Sequence, residues 1–367
     1  MTIDISKLVP EHISSLALYQ PGKLIEDVLE EMGLHSAVKL ASNENSLGPS
    51  PLAFKAVVEA LAGLSRYGDA DNRRLREKIS RLTKVPVGGV QACNGSSEFI
   101  LTLCHALLAP GLSAVMSKPS FTLYAKNSQA AGAKVVETPL TADFEHDVDE
   151  MLAQMDDSTR LVFLDNPLNP TGAYLQPEKI EHLLNNINKN AILVLDEAYI
   201  DFVSEKRPDY NALLSKHKVI VIRTFSKIMG LAGLRAGYAL MAPELAEVLN
   251  KVRQPFNLNS LAQAGAIAAM DDLQHIARTQ EMTWLALETL KKELPEFGFS
   301  VYPTQANFMM AAVPEGRQAD ELVQALLREG VIIRSLASFG LPGHVRLNAG
   351  LPEELDVLFK ALKKILG

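Results

Sequence analysis

Residues 219–235 read VIVIRTFSKIMGLAGLR, an apolar run followed by a segment with one lysine. The run at 219–222 has the composition of a strand buried on both faces of a parallel sheet. Lys227 follows this strand closely, so apolar walls would favour its neutral amine and prepare it to form a Schiff base with an aldehyde. Most Ser-Lys pairs lie in solvated turns, so the interpretation depends on the segments around this one.

The middle of the chain alternates short apolar runs with amphipathic stretches. That is the pattern of a mainly parallel sheet covered by helices. Strands are expected at 89–94, 114–116, 133–137, 161–164, 192–195, 219–222 and 236–240, with helices over 95–108 and about 120–131. Ligands of such sheets bind beyond the carboxyl ends of the strands. The segments that leave these strands are therefore the candidate site.

The last third of the chain predicts a smaller α+β unit. A long helical stretch from Pro243 onward is expected to connect the two units. Short strands are expected at 299–302, 308–312, 331–333 and 344–347, with helices around 319–328 and 353–366. We therefore expect an N-terminal arm over 1–30 that joins the small domain, a large domain over 31–255 and a small domain over 256–367.

Composition excludes several classes of protein. The hydrophobic content of 47% and charged content of 22% are ordinary for a soluble protein of 367 residues. A net charge of −7 without a long basic run disfavours nucleic acid or an anionic membrane as partner. No apolar run is long enough to span a bilayer, and the N-terminus lacks a secretory pattern. Cys93 and Cys104 do not have zinc-site spacing, so we expect reduced thiols, no metal and a cytoplasmic protein.

Asp196 and Tyr199 follow the apolar run at 192–195. A carboxylate at a strand end is costly to bury unless a cation meets it. A protonated pyridine nitrogen would serve, and the pairing would keep that ring an electron sink. The alternative for Asp196 is a cap of the next segment. Tyr199 could reach the same ring's phenolic oxygen, or only pack as a half-buried tyrosine.

A candidate phosphate site starts at Ser96 and Ser97, which open a predicted helix directly after a strand. Free backbone N–H groups, hydroxyls and the helix dipole would converge there. Arg235 and Ser226 would add a guanidinium and a further donor. The alternatives are an ordinary helix start and a surface ion pair for the arginine.

Four further side chains are candidates. Asn169, in a proline-rich loop, could aim its amide at a ring hydroxyl or only bond its own backbone. Phe121 could stack on a planar ring or belong to the core. Arg334 and Arg346 end short apolar runs and could clamp a carboxylate or phosphate, or lie as solvated strand ends.

In this order, these segments resemble fold-type I pyridoxal-phosphate-dependent aminotransferases over nearly the whole chain, and within them the histidinol-phosphate aminotransferases. The motifs are YQPGK at 19–23, LASNEN at 40–45, RYGD at 66–69, NGSSE at 94–98, NPTG at 169–172, DEAY at 196–199 and the segment 224–235. The chain departs from the family pattern at Gly68, Ser97, Phe121 and Leu168, where members often carry Pro, Asp, Tyr and Asn.

The resemblance implies an α/β fold with a mainly parallel seven-stranded sheet and pyridoxal 5'-phosphate as cofactor. It implies amino transfer from L-histidinol phosphate to 2-oxoglutarate, giving imidazole-acetol phosphate and L-glutamate. Lys227 would bind the cofactor and move the substrate proton, Asp196 would pair with the pyridine nitrogen, and Tyr199 and Asn169 would bond the phenolic oxygen. The residues that would hold the phosphate are Ser96, Ser97, Thr224, Ser226 and Arg235.

The resemblance also implies a homodimer in which Tyr67 reaches the neighbouring subunit's cofactor. Arg334 and Arg346 would grip the substrate's phosphate or the carboxylate of glutamate and 2-oxoglutarate. Tyr19 and Asn43 would line the substrate side.

Three other functions stay open at this stage. Aromatic amino-acid aminotransferases and threonine-phosphate decarboxylases look similar. A cofactor-binding sensor fused to a DNA-binding module is disfavoured by the short N-terminus and the charge.

Overall fold

The computed structural model describes residues 8–18 and 22–367. Its helices are α1 Glu11–Ser14, α2 Ile25–Met32, α3 Pro51–Ala60, α4 Arg73–Thr83, α5 Gly95–Leu107, α6 Leu123–Ala130, α7 Val148–Ala153, α8 Pro177–Asn186, α9 Tyr210–Lys216, α10 Pro243–Asn250, α11 Ser260–Ala269, α12 Leu273–Glu293, α13 Ala319–Arg328 and α14 Pro352–Leu366. Its strands are β1 Val38–Lys39, β2 Val90–Cys93, β3 Ser113–Lys118, β4 Lys134–Pro139, β5 Thr159–Asp165, β6 Ile192–Asp196, β7 Val219–Thr224, β8 Gly237–Leu240, β9 Ser300–Val301, β10 Phe308–Ala312, β11 Val331–Ile332, β12 Arg334–Ser335 and β13 His344–Asn348.

The central sheet has seven strands in the order β2-β8-β7-β6-β5-β3-β4. Only β8 runs antiparallel to its neighbours in this sheet, and the other pairings are parallel. Apolar side chains on its two faces form two separate cores under the covering helices. The predicted α/β fold with a mainly parallel seven-stranded sheet is confirmed.

The register of the central strands positions the site. Asp165 at the end of β5 pairs with Asp196 at the end of β6, and Asp196 pairs with Ile222 of β7. These carboxyl ends therefore meet at one edge of the sheet. Lys227 follows β7 at the same edge, which explains how residues far apart in sequence come to face one space.

A second, antiparallel sheet has the order β12-β13-β10-β9 and its own apolar core. β1 pairs with β11, and Leu40 belongs to this second core, while α11 packs on α3 beside the central sheet. The division at 30 and 255 stays a prediction. From these contacts we propose that the small domain includes β1 and starts near α12.

The long helical stretch expected from Pro243 consists of three separate helices, α10, α11 and α12. Pro255 cannot continue the hydrogen-bond ladder of α10. Asn259 and Asp272 each accept a backbone N–H three residues on and so start α11 and α12. We propose that α12, of 21 residues, connects the two units. Within the described chain, the structure has no helix of the length and apolarity required to span a membrane.

Candidate active site

A cavity of about 390 Å³ opens at the carboxyl edge of the central sheet. Its walls come from segments following β2, β3, β5, β6 and β7, and from residues 42 and 44. The predicted site residues that line it are Ser96, Ser97, Phe121, Asn169, Asp196, Tyr199, Thr224, Ser226, Lys227 and Arg235. An adjoining outer cavity of about 590 Å³ shares Phe121, Asn169, Tyr199 and Lys227, and adds Asn43, Arg334 and Arg346.

Lys227 lies between the two cavities. Its Nζ donates to the Ser42 carbonyl at 3.3 Å and lies 5.7 Å from the centre of the Tyr199 ring. Burial and, next, the nearby Arg346 guanidinium lower the pKa of this amine from 10.5 to about 8. A large fraction of the side chain is therefore the neutral nucleophile near pH 8.

Asp196 is 3% exposed and faces the same space. Its Oδ1 accepts the Ala198 amide at 3.1 Å, so the capping interpretation accounts for one oxygen. The other oxygen accepts the Tyr124 hydroxyl at 2.9 Å. Burial and the neighbouring Asp165 raise the pKa of Asp196 from 3.8 to about 7. Because both of these donors are neutral, a cation placed beside this carboxylate would be strongly favoured.

Arg235 lies against the start of α5. Gly95 has a φ of 78°, and a Cβ at this position would lie 2.7 Å from Arg235 Nη2. Glycine is therefore required for the guanidinium to approach the free N–H groups of the helix. Arg235 Nη1 donates to the Ala232 carbonyl at 3.0 Å, and the Thr224 hydroxyl donates to Ser226 Oγ at 2.9 Å. Such a convergence of N–H groups, hydroxyls and a guanidinium suits a phosphate.

Tyr199 and Asn169 are fixed by partners from the second unit and the N-terminal third. Asn43, at a φ of 52°, donates its amide to the Tyr199 oxygen at 2.9 Å. Arg346 donates to Asn169 Oδ1 and to the Ala41 carbonyl. The side-chain oxygen of Asn169 is therefore bound by an arginine, which leaves its Nδ2 group to donate into the cavity.

Arg346 is 7% exposed, with its guanidinium 5.1 Å from the centre of the Phe308 ring. It is thus not a solvated strand end. Arg334 is half-buried and lies opposite Arg346 in the β12–β13 register. Both arginines line the outer cavity from one side.

One predicted residue lies away from both cavities. Tyr67 is 85% exposed and stacks on Phe256 with ring centres 4.7 Å apart, and it is outside the lining of both cavities. Tyr19 lies outside the described residues.

Sequence reasoning missed Tyr124, Asp165 and Lys126. Tyr124 lies three residues after Phe121, and Asp165 ends an apolar run as Asp196 does, so both carried a detectable signal. Lys126 faces the outer cavity from α6. Its helix position was visible in the sequence, but the neighbouring cavity was not.

Comparison with known proteins gives consistent results. Residues 36–362 match the model of the family described as aminotransferase class I and II. The chain is 41% identical to histidinol-phosphate aminotransferase 2 of Pseudomonas aeruginosa, over 99% of both sequences. It is 42% identical to histidinol-phosphate aminotransferase of an Anaeromyxobacter species, over 98% of this chain and 99% of that one. A crystal structure of histidinol-phosphate aminotransferase from Sinorhizobium meliloti in complex with pyridoxal-5'-phosphate matches with a TM-score of 0.90 and 26% identity, covering 98% of this chain and 97% of that one.

Proposed function

Because this chain belongs to the class I and II aminotransferase family, we propose that it transfers the amino group of L-histidinol phosphate to 2-oxoglutarate, with pyridoxal 5'-phosphate as cofactor. The products are imidazole-acetol phosphate and L-glutamate, and the reaction belongs to histidine biosynthesis. The observation that carries the proposal is that Lys227, Asp196 and Arg235 all line the same cavity.

The residues present fit this cofactor. The buried Asp196 carboxylate suits a protonated ring nitrogen, and the start of α5 with Arg235 suits a phosphate. Lys227 suits an aldehyde, since its amine has a lowered pKa. When bound, pyridoxal 5'-phosphate supplies an aldehyde that receives the amino group and a ring that withdraws electrons from the substrate carbon.

Each side chain then has a defined task. Lys227 would hold the cofactor's aldehyde and would carry the proton away from the substrate carbon. Asp196 would pair with the ring nitrogen, and Phe121, Tyr199 and Asn169 would hold the ring. The residues that would bind the phosphate are Ser96, Ser97, Thr224, Ser226 and Arg235.

The outer cavity favours anionic substrates. Its described lining includes Lys126, Lys227, Arg334 and Arg346 and contains no Asp or Glu side chain. Cationic side chains without acidic neighbours stabilise a bound anion. Histidinol phosphate would present its phosphate to them, and 2-oxoglutarate its second carboxylate. Arg346 already lies between Asn169 and the Ala41 carbonyl, so it meets the substrate in a fixed orientation.

A panel of amino donors at fixed 2-oxoglutarate tests the substrate assignment. We expect kcat/KM for L-histidinol phosphate, read as glutamate formed, to exceed that for L-phenylalanine by roughly 10²-fold or more, because the cationic wall matches a doubly charged phosphate, which phenylalanine lacks. L-Histidinol without phosphate is the matched control and should fall to the level of phenylalanine.

Two results would contradict the assignment. A higher kcat/KM for phenylalanine or tyrosine would identify an aromatic aminotransferase. Carbon dioxide released from threonine phosphate without a keto acid would identify a decarboxylase.

A homodimer is part of the proposal. Five exposed apolar side chains, each 44–61% exposed, lie on α3 and just after it: Leu52, Phe54, Val58, Leu61 and Leu64. Exposed apolar surface of this kind favours burial against another protein surface. Tyr67 follows these residues in the chain and is highly exposed, which supports the proposal that it reaches a second copy's cofactor phosphate.

Hybrid dimers test Tyr67 directly. Tyr67→Ala should weaken cofactor binding about 10-fold, the loss of one hydrogen bond to a charged group. A dimer of one Lys227→Ala subunit and one Tyr67→Ala subunit should then contain one site with native cofactor affinity, because the intact Tyr67 is supplied across the interface. Cofactor titration of the purified hybrid measures this. If both sites of the hybrid bind no better than Tyr67→Ala alone, Tyr67 acts within its own chain.

We also propose a cytoplasmic location. Cys93 and Cys104 are both buried and free, which agrees with a reducing compartment.

A further inference from the structure

We propose that Tyr124 is a positioning residue that holds the Asp196 carboxylate in its charged, ring-binding state. The inference rests on the proposed function, in which Asp196 pairs with the cofactor's ring nitrogen. Its geometric basis is the hydrogen bond of 2.9 Å from the Tyr124 hydroxyl to Asp196 Oδ2, between two side chains that are both buried.

Aromatic neighbours hold the Tyr124 ring and so fix the direction in which its hydroxyl points. Its ring stacks on Phe163 with centres 4.7 Å apart and planes at 11°, and meets Phe121 edge-on at 5.5 Å. Phe163 belongs to β5, the strand beside the one that ends in Asp196. Burial, followed by the charge of Asp196, raises the pKa of Tyr124, so the phenol keeps its proton and acts as a donor.

Asp196 needs such a donor because its surroundings oppose its charge. Burial and Asp165 push this carboxyl towards its neutral form, which could not pair with a protonated ring. Bonds donated to the carboxylate act the other way, and the structure gives two of them, from Tyr124 and from the Ala198 amide. Only the first comes from a side chain.

One turn of α6 and the residues before it thus serve two purposes. Phe121 lines the cavity, where it would face the cofactor, and Tyr124, three residues later, lines the same cavity beside Asp196. The Tyr124 amide donates to the Phe121 carbonyl at 3.1 Å in the turn that leads into α6. The stacking residue and the support of the acid are therefore set by the same local backbone.

Tyr124→Phe tests the inference, since it removes only the hydroxyl. The first readout is the ¹⁵N NMR shift of ring-labelled pyridoxal 5'-phosphate in the holoenzyme across pH. We expect the ring nitrogen to lose its proton about one pH unit lower than in the wild type, the equivalent of about 10-fold. In steady state, kcat should fall about 10-fold while KM for the donor stays within about two-fold, because Tyr124 does not touch the substrate.

Tyr174→Phe is the matched control, because it also deletes a buried tyrosine hydroxyl. This hydroxyl donates to the Lys206 carbonyl at 2.7 Å, and Tyr174 does not line the site. In Tyr174→Phe the cofactor's ring nitrogen should lose its proton at the same pH as in the wild type. If Tyr124→Phe is unstable, 3-fluorotyrosine at position 124 gives a second test. This more acidic phenol is a stronger donor and should move the ring titration upward.

The outcomes separate the inference from the proposed function. An unchanged ring titration in Tyr124→Phe, or an equal shift in Tyr174→Phe, overturns the inference alone. A wild-type holoenzyme without a ring proton at neutral pH overturns the role of Asp196, and the inference with it. The donor panel is independent of both results.

Discussion

Lys227→Ala is expected to reduce kcat by about 10⁴-fold or more, the upper end of what one acid–base group contributes. The substitution removes both the amine that attaches the cofactor and the base that moves the substrate proton. Cofactor should still bind through the phosphate site formed by α5 and Arg235, but without the visible absorbance band of the lysine-bound form. Absorbance spectra and single-turnover kinetics at saturating cofactor measure both effects.

The matched control is Lys292→Ala, since Lys292 is exposed on α12 and pairs only with the adjacent Glu293 at 3.2 Å. It should keep the absorbance band and the rate. The apo form of Lys227→Ala should be at least as stable as the wild type at pH 7, because the folded chain lowers the pKa of this amine and so opposes its protonation. A variant that retained the absorbance band and activity would refute the assignment of Lys227.

Asp196→Asn is expected to lower kcat by roughly 10²–10³-fold, similar to the loss of one preorganised charge-stabilising group. Asparagine keeps the shape but has one acceptor oxygen, whereas Asp196 accepts Ala198 on Oδ1 and Tyr124 on Oδ2. Its Nδ2 group would donate to the Tyr124 hydroxyl, so the side chain should stay in place and cofactor binding should survive. The ring nitrogen would lose its anionic partner and its proton, and the ring would withdraw electrons poorly. The measurement is kcat with L-histidinol phosphate, alongside cofactor content.

A stability measurement separates this chemistry from misfolding. The folded state raises the pKa of Asp196 from 3.8 to about 7, so the charged form destabilises the apoenzyme. This cost is absent below pH 3.8 and complete above about pH 7, where it reaches on the order of 4 kcal/mol before relaxation. Apo Asp196→Asn should therefore unfold at no lower temperature than the wild type at pH 8. Full turnover in this variant would show that Asp196 has another role.

The apolar runs made the central sheet readable without a structure. Strands such as β5, β6 and β7 are buried on both faces, so their near-continuous Val, Ile and Leu content is a local signal. The division of the helical stretch after Pro243 was not predicted, for the opposite reason. The separation of α10, α11 and α12 depends on Pro255 and on the caps at Asn259 and Asp272, which are single-residue effects.

The candidate site was partly readable in the same way. Lys227 and Asp196 stand directly after buried strands, where a charged group has a cost that calls for an explanation. Arg346 was seen as a candidate, yet its binding to Asn169 joins positions 177 residues apart, and no local pattern encodes that separation. The bond from Tyr124 to Asp196 spans 72 residues and was missed entirely.

The sequence by itself predicted the sheet and placed a lysine, an acid and a candidate phosphate-binding segment at strand ends, because burial patterns and strand-end charges are properties of neighbouring residues. The cofactor and the role of each residue were implied by the resemblance of the whole set of motifs to a family. Only the tertiary structure decided which groups touch: Tyr124 on Asp196, Asn43 on Tyr199, and Arg346 on Asn169. Those contacts arise from strand order and from the closure of the second unit over the sheet edge, which are properties of the packed chain.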